Sequence, residues 1–310
     1  MNSMRNIAGK QCFFLYVCTT KKQDTEKHLQ MSKNGMKKTV VAALLVGAVV
    51  AVAAAGLIMK ASLGSPKKAV KVGADLSGEP SVAYEVPRYD VPRRHSQQIE
   101  HYAYTVDYNE EWRLPNWVAY SLTAGHTKGH VERYDKFVPD PEVRGATAQF
   151  WDYRNSGYDR GHMAPAGDMK WDRRAMEECF YLSNICPQDH TMNEGDWNTL
   201  ENRVRGWANF FGEVFVVCGP LVSENPDVIG KSCIAVPDSF YKVLLCNMRG
   251  EWNAIGFVMP NAAVQMPLSR YCRTVDYVEG LTGMDFFHAL PDDVEDRVEA
   301  SFSKENWRIR

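Results

Sequence analysis

A surplus of basic residues is missing from most of this 310-residue chain. Residues 1–59 hold 8 Lys+Arg and 2 Asp+Glu, which leaves 28 and 36 for residues 60–310, a net charge of −8. That excludes a protein that holds nucleic acid by a broad basic surface, because such affinity comes mainly from phosphate neutralisation. A small cationic cleft stays compatible with it. No Cys-x-x-Cys pair occurs, which argues against a structural zinc site. Neither an internal repeat nor a regular βαβ alternation is present, so an α+β fold in one domain of residues 99–310 is expected. With 45% hydrophobic and 24% charged residues, wholesale disorder, collagen and coiled coil are also excluded.

Charge is absent in another sense from Thr39 to Met59, 21 residues without a charge or a proline. At 1.5 Å per residue such a run spans a bilayer core of roughly 30 Å. Lys37 and Lys38 precede it and favour a cytoplasmic start. The expectation is a transmembrane anchor over residues 39–59, with 1–38 cytoplasmic and the rest periplasmic or extracellular. The rival is a signal peptide cleaved near Ala53-Ala54-Ala55-Gly56, releasing a secreted form. Met36-Lys37-Lys38 also reads as an alternative start. Beyond the anchor lie Cys179, Cys186, Cys218, Cys233, Cys246 and Cys272, whose pairing in an oxidising compartment the sequence leaves open.

Residues 60–98 carry Pro80, Pro87 and Pro92 and no steady period, as a linker does. Alternating stretches then predict strands at His101–Tyr108, Trp117–Leu122, Val214–Cys218, Cys233–Val236, Phe240–Cys246 and Ala254–Met259. Trp197, Leu200, Val204, Trp207, Ala208 and Phe211 make one helical stripe. A second amphipathic stretch covers Val294–Phe302, behind the acids that follow Pro291.

The densest chemistry lies in three blocks. They are Tyr158-Asp159-Arg160-Gly161-His162-Met163-Ala164-Pro165, Ser183-Asn184-Ile185-Cys186-Pro187-Gln188, and Asn193-Glu194-Gly195-Asp196-Trp197-Asn198-Thr199-Leu200-Glu201. Singly, each polar residue has an ordinary reading. Asp159-Arg160 can be an ion pair, Asn193 a helix N-cap, and Glu201–Arg205 a surface pair four residues apart. Together, in this order and spacing, they resemble the DNA/RNA non-specific endonucleases of the ββα-metal (His-Me finger) superfamily. Asn116-Trp117-Val118-Ala119-Tyr120, Arg133 before Phe137 and Asp140-Pro141, Gly219-Pro220, and Phe240-Tyr241-Lys242 extend the likeness over about residues 100–290.

The resemblance implies a ββα-metal nuclease fold with a mixed, mainly antiparallel sheet flanked by helices. It implies a metal-dependent endonuclease acting on DNA and RNA and leaving 5′-phosphate ends. His162 is then the general base, since a neutral imidazole suits taking a proton from water. Asn193 is the protein ligand of one Mg²⁺, with Mn²⁺ as substitute, because Mg²⁺ keeps several waters and tolerates an amide. Glu201 holds the cation's waters, Arg133, Arg160 and Arg205 meet phosphate charge, and Asn184 supports the geometry. Alternatives of the same fold are an inactive nucleic-acid-binding module or another phosphodiesterase. Two departures stand out. Cys186 places a disulfide or a free thiol inside the second block, and 9 acids against 6 Lys+Arg lie between Asp159 and Arg205. The oligomeric state is open, a homodimer among the alternatives.

Overall fold

In the computed structural model, residues 86–89 and 95–310 are described. The expected membrane segment, 39–59, and the segment before it lie outside the described residues. Among the described residues, no helix is long and apolar enough to cross a membrane.

The strands in chain order are Arg88–Tyr89 (β1), Ser96–Glu100 (β2), Thr105–Asn109 (β3), Leu114–Thr123 (β4), Asp159–His162 (β5), Ile185–Gln188 (β6) and Glu213–Leu221 (β7). They continue with Val228–Ile229 (β8), Ile234–Ala235 (β9), Ser239–Met248 (β10), Glu251–Pro260 (β11), Cys272–Arg273 (β12) and Met284–Asp285 (β13). Helices are Arg173–Glu178 (α1), His190–Met192 (α2), Asn198–Phe211 (α3), Val275–Thr282 (α4) and Asp292–Ala300 (α5). The architecture is α+β, as expected.

Seven strands join in the order β12-β11-β10-β7-β4-β3-β2. Every neighbouring pair is antiparallel, where a mixed sheet is expected from the sequence. The hairpin between β10 and β11 shows how the chain reverses directly. Met248 pairs with Glu251, and the two turn residues Arg249 and Gly250 have φ of 59° and 96°. Two successive positive φ values match the twist of the flanking strands.

Alternation along β10 divides the core into two layers. Phe240, Leu244 and Cys246 bury into one apolar cluster, Tyr241, Val243 and Leu245 into the other. Helix α3 covers the first face through Leu200, Val204, Trp207 and Ala208. Val275 and Val278 of α4 and Val298 of α5 cover the second. A sheet buried on both sides reads as long apolar runs, which is why β7, β10 and β11 stand out in the sequence.

Part of the expected linker is built into this fold. Arg88–Tyr89 pairs with Met284–Asp285, and Ser96–Glu100 is the edge strand of the main sheet. Of the six cysteines whose pairing the sequence leaves open, five do not pair. Cys179, Cys186, Cys218, Cys246 and Cys272 are buried free thiols.

Candidate active site

Strands β5 and β6 form a separate antiparallel ribbon, with His162 opposite Ile185 and Asp159 opposite Gln188. Gly161 permits this pairing. A Cβ there would stand 1.9 Å from Gln188 Oε1, so any larger residue would push the ribbon apart. After β6, the Asp189 side chain accepts hydrogen bonds from the backbone N–H groups of Thr191 and Met192, which starts α2. A wide π turn, Asn193–Trp197, then leads into α3. Two strands and a helix with a π turn at the join make a ββα unit, and such turns recur at functional sites.

His162 sits at the end of β5 and is 8% exposed. Its ring packs against Phe180, centroids 4.9 Å apart, and Phe137 at 5.4 Å. Nε2 is enclosed without a hydrogen-bond partner. Burial, then the positive charges of Arg133 and Arg160, push the imidazole down to about 3, so it is neutral at ordinary pH. The same two rings carry both arginines. The Arg160 guanidinium lies 4.6 Å from the Phe137 centroid, and that of Arg133 lies 5.0 Å from the Phe180 centroid. Arg133 is half exposed and also meets Asp135.

Asn193 is not a cap. It has helical φ and ψ, and its backbone N–H donates to the Asp189 carbonyl. Its side-chain Nδ2 donates to Asp159 Oδ2 at 2.9 Å. The amide nitrogen is thereby committed, and the oxygen is left as a neutral hard donor, the kind Mg²⁺ accepts. Asp159 Oδ2 also meets His190 Nδ1 at 2.9 Å, which holds His190 above its ordinary value. Asp159 thus pairs with Asn193 and His190 rather than with Arg160. A divalent cation fits this donor set, a fixed amide oxygen beside the Asp159 carboxylate.

Glu201 is part-buried on α3. Burial pushes its carboxyl up to about 7; Lys242 opposes this, Asp168 reinforces it, and Arg205 and Arg133 oppose it further. Arg205 does not pair with Glu201 as a surface couple. Its Nη1 donates to Asp168 Oδ1 at 2.6 Å and its Nη2 to Asn202 Oδ1 at 3.0 Å. Asp168 is fully buried and also accepts from the Tyr120 hydroxyl at 2.8 Å. The Arg205 guanidinium is therefore anchored through two of its nitrogens.

Asn184 is fully buried and acts on the backbone. Its Oδ1 accepts from the Ala164 N–H at 2.8 Å, and its Nδ2 donates to the carbonyls of Ala164 at 2.9 Å and Cys179 at 2.7 Å. It pins the chain two residues after His162. Asn184→Ala strands three buried backbone groups, each costing about 1–3 kcal/mol. The expected result is a melting point lower by about 5–10 °C in thermal denaturation, with KM for DNA unchanged in the folded fraction. Unchanged melting with lost turnover would place Asn184 at the reaction instead.

Lys242 carries no role in the sequence reading beyond its place in Phe240-Tyr241-Lys242. It is fully buried, on the same face of β10 as Phe240 and Leu244, with Nζ 4.6 Å from the Trp197 ring centroid and without a hydrogen-bond partner. Its charge acts on Glu201. A lysine at an inward position of an apolar strand is the signal that could have found it. Asp159 stands in the first block, and only the fold reveals that it orients Asn193.

The chain is similar to known proteins. A family model described as DNA/RNA non-specific endonuclease matches residues 85–293. Nuclease EXOG, mitochondrial, of Danio rerio is 37% identical over 227 residues, covering 68% of this chain and 66% of that protein. Endonuclease G, mitochondrial, of Homo sapiens is 33% identical over 217 residues, covering 65% of this chain and 73% of that protein. The chain thus spans about two thirds of the length of the first of these. A solved structure described as the EndoG/EndoGI complex superposes with a TM-score of 0.60 at 32% identity, covering 66% of this chain and 89% of that one. Nuclease EXOG and Endonuclease G are named as mitochondrial proteins, which overturns the expectation of a periplasmic or extracellular domain. With the ββα unit, the neutral buried histidine and these likenesses together, the chain belongs to the DNA/RNA non-specific endonucleases.

Proposed function

We propose that the protein hydrolyses phosphodiester bonds of DNA and RNA as a metal-dependent, sugar-non-specific endonuclease, leaving 5′-phosphate ends. The observation that carries this reading is His162, held neutral between Phe137 and Phe180 with Nε2 enclosed and unpartnered. A buried polar atom without a partner awaits one, and here that partner is the attacking water. Nε2 takes the water's proton as the bond to phosphorus forms. The imidazolium that results is disfavoured by the two nearby arginines, so it passes the proton on rather than keeping it.

Arg160 and Arg133 supply positive charge close to His162, where the phosphate gains negative charge in the transition state. Asn193, oriented by Asp159, would hold the cation, Mg²⁺ with Mn²⁺ as substitute, and Glu201 would orient its waters. When bound, such a cation stabilises the departing 3′ oxygen. Glu201 must be ionised for that task, and Lys242 favours its charged form. Contacts made to phosphate and sugar alone carry no base information, so little sequence preference is expected.

The test is incubation of the full chain with plasmid DNA and with RNA, with Mg²⁺ and with chelator, followed by end analysis. Cleavage of both, abolished by chelator and giving 5′-phosphate ends, is expected. RNA-only cleavage with 2′,3′-cyclic ends would assign the attack to the substrate's own hydroxyl and overturn the mechanism.

A further inference from the structure

The sheet face opposite the ββα unit carries an acidic convergence that the hydrolytic reading does not use. Asp276 and Glu279 stand one turn apart on α4, and Glu299 lies at the end of α5. One carboxylate oxygen from each lies within 4.8 Å of the other two. Acidic residues gather on many surfaces without consequence. Glu299 differs from such residues. It is 5% exposed, and its Oε1 is enclosed with no hydrogen-bond partner.

The surroundings do not compensate this charge. Glu295 and Asp285 add negative potential at Glu299, together with Glu279 and Asp276. Arg88 is committed to Asp285. Packed helices otherwise avoid bringing such carboxylates together, because each one raises the cost of ionising the next. Asp276 is exposed, Glu279 part-buried and Glu299 buried, so the cluster runs from solvent inward to the carboxylate that carries the unpartnered oxygen.

We propose that Asp276, Glu279 and Glu299 form a structural site for a divalent cation of the calcium class, which clips α4 to α5. The donor set, three carboxylates from two helices, favours that class. Ca²⁺ binds oxygen at about 2.3–2.6 Å, so ligand oxygens across the ion are up to about 5 Å apart. Mg²⁺ at about 2.0–2.1 Å draws them to about 4 Å or less and demands near-octahedral geometry. Three carboxylates with water completing the shell suit the larger, more tolerant ion. The backbone N–H of Phe286 donates to Glu279 Oε1 at 2.8 Å, which fixes one ligand before the ion arrives. Because α4 and α5 cover the second core layer, the site acts on stability and leaves the chemistry at His162 untouched.

Thermal melting of the chelator-stripped full chain at pH 7.5, titrated with CaCl₂, tests this, with calorimetric titration counting the ions bound. At Ca²⁺ about 100-fold above Kd, the melting point should rise by about 5–10 °C. Asn193→Ala should keep the full rise, since it alters only the catalytic centre. Glu299→Gln should abolish the rise and bind one ion fewer, with Mg²⁺-dependent plasmid cleavage retained. Should Glu299→Gln fail to fold, Glu279→Gln reads the same loss, because its amide oxygen still accepts from Phe286. A rise that persists in both glutamine variants, or that disappears in Asn193→Ala, overturns the site. So does a wild type indifferent to Ca²⁺, whose three acids then share protons.

Discussion

His162→Ala is expected to lower kcat/KM on plasmid DNA at least about 10²-fold while the circular dichroism spectrum stays that of a folded protein. The side chain contributes no hydrogen bond through Nε2 to the fold, so its loss removes a proton acceptor and leaves the backbone pairing of β5 with β6 intact. The pH behaviour separates this role from a packing role. Burial pushes the imidazole down to about 3 from 6.5. The native state therefore binds fewer protons than the unfolded chain between those values, and wild-type stability falls as pH drops from 6.5 toward 3. His162→Ala lacks this acid sensitivity and should lose less over the same window in denaturant titrations. Turnover has a different acid limb. The imidazole is already neutral at pH 6, so a fall in kcat/KM between pH 8 and 6 belongs to Glu201, which titrates at about 7 and is needed as a carboxylate. A folded His162→Ala variant within about threefold of wild-type rate would remove His162 from the mechanism.

Particular residues show where the sequence was legible. The apolar runs of β7, β10 and β11 and the stripe of α3 appear almost where they are expected, because both are set by burial. The stripe ends at Phe211 since Gly212 has a φ of 96°, a conformation that terminates a helix. Other boundaries depend on polar contacts that periodicity does not register. Residues 101–104 form a turn rather than the start of a strand, closed by the His101 N–H donating to the Tyr104 carbonyl and by the His101 ring meeting Asp140. Cys233 stands outside β9, with a φ of 53°.

The fold brings residues of the three blocks together, but the blocks alone do not reveal who holds whom. Asp140 is far from His101 and Ser183 in sequence yet bonds both. Arg205 turns to Asp168, 37 residues earlier, rather than to Glu201 one turn back. Lys242 lies 41 residues beyond Glu201 in the chain, on the sheet face that α3 covers, and acts on Glu201 only once α3 packs down. Long-range electrostatics of this kind arise from tertiary packing, which spacing along the chain does not encode.

Asn193→Ala should raise the Mg²⁺ concentration needed for half-maximal cleavage by about 10-fold or more, in keeping with the 10–100-fold cost of disturbing even the partners of metal ligands. The ordinary alternative, a helix cap worth about 1 kcal/mol, predicts lower melting and an unaltered metal titration. The geometry opposes that alternative, for Asp189 does the capping while Asn193 lies within the π turn, one side-chain nitrogen on Asp159. Removing the amide leaves Asp159 its bond to His190, so the ribbon and helix remain joined and the fold should persist. Asp159→Asn offers a second reading of the same geometry. Its amide can no longer accept as an anion from Asn193, and it should shift the metal titration in the same direction by less. Single-turnover cleavage at saturating DNA across a Mg²⁺ series gives both values. A variant that melts early yet titrates with Mg²⁺ as the wild type does would return Asn193 to a structural part and leave the cation with another ligand.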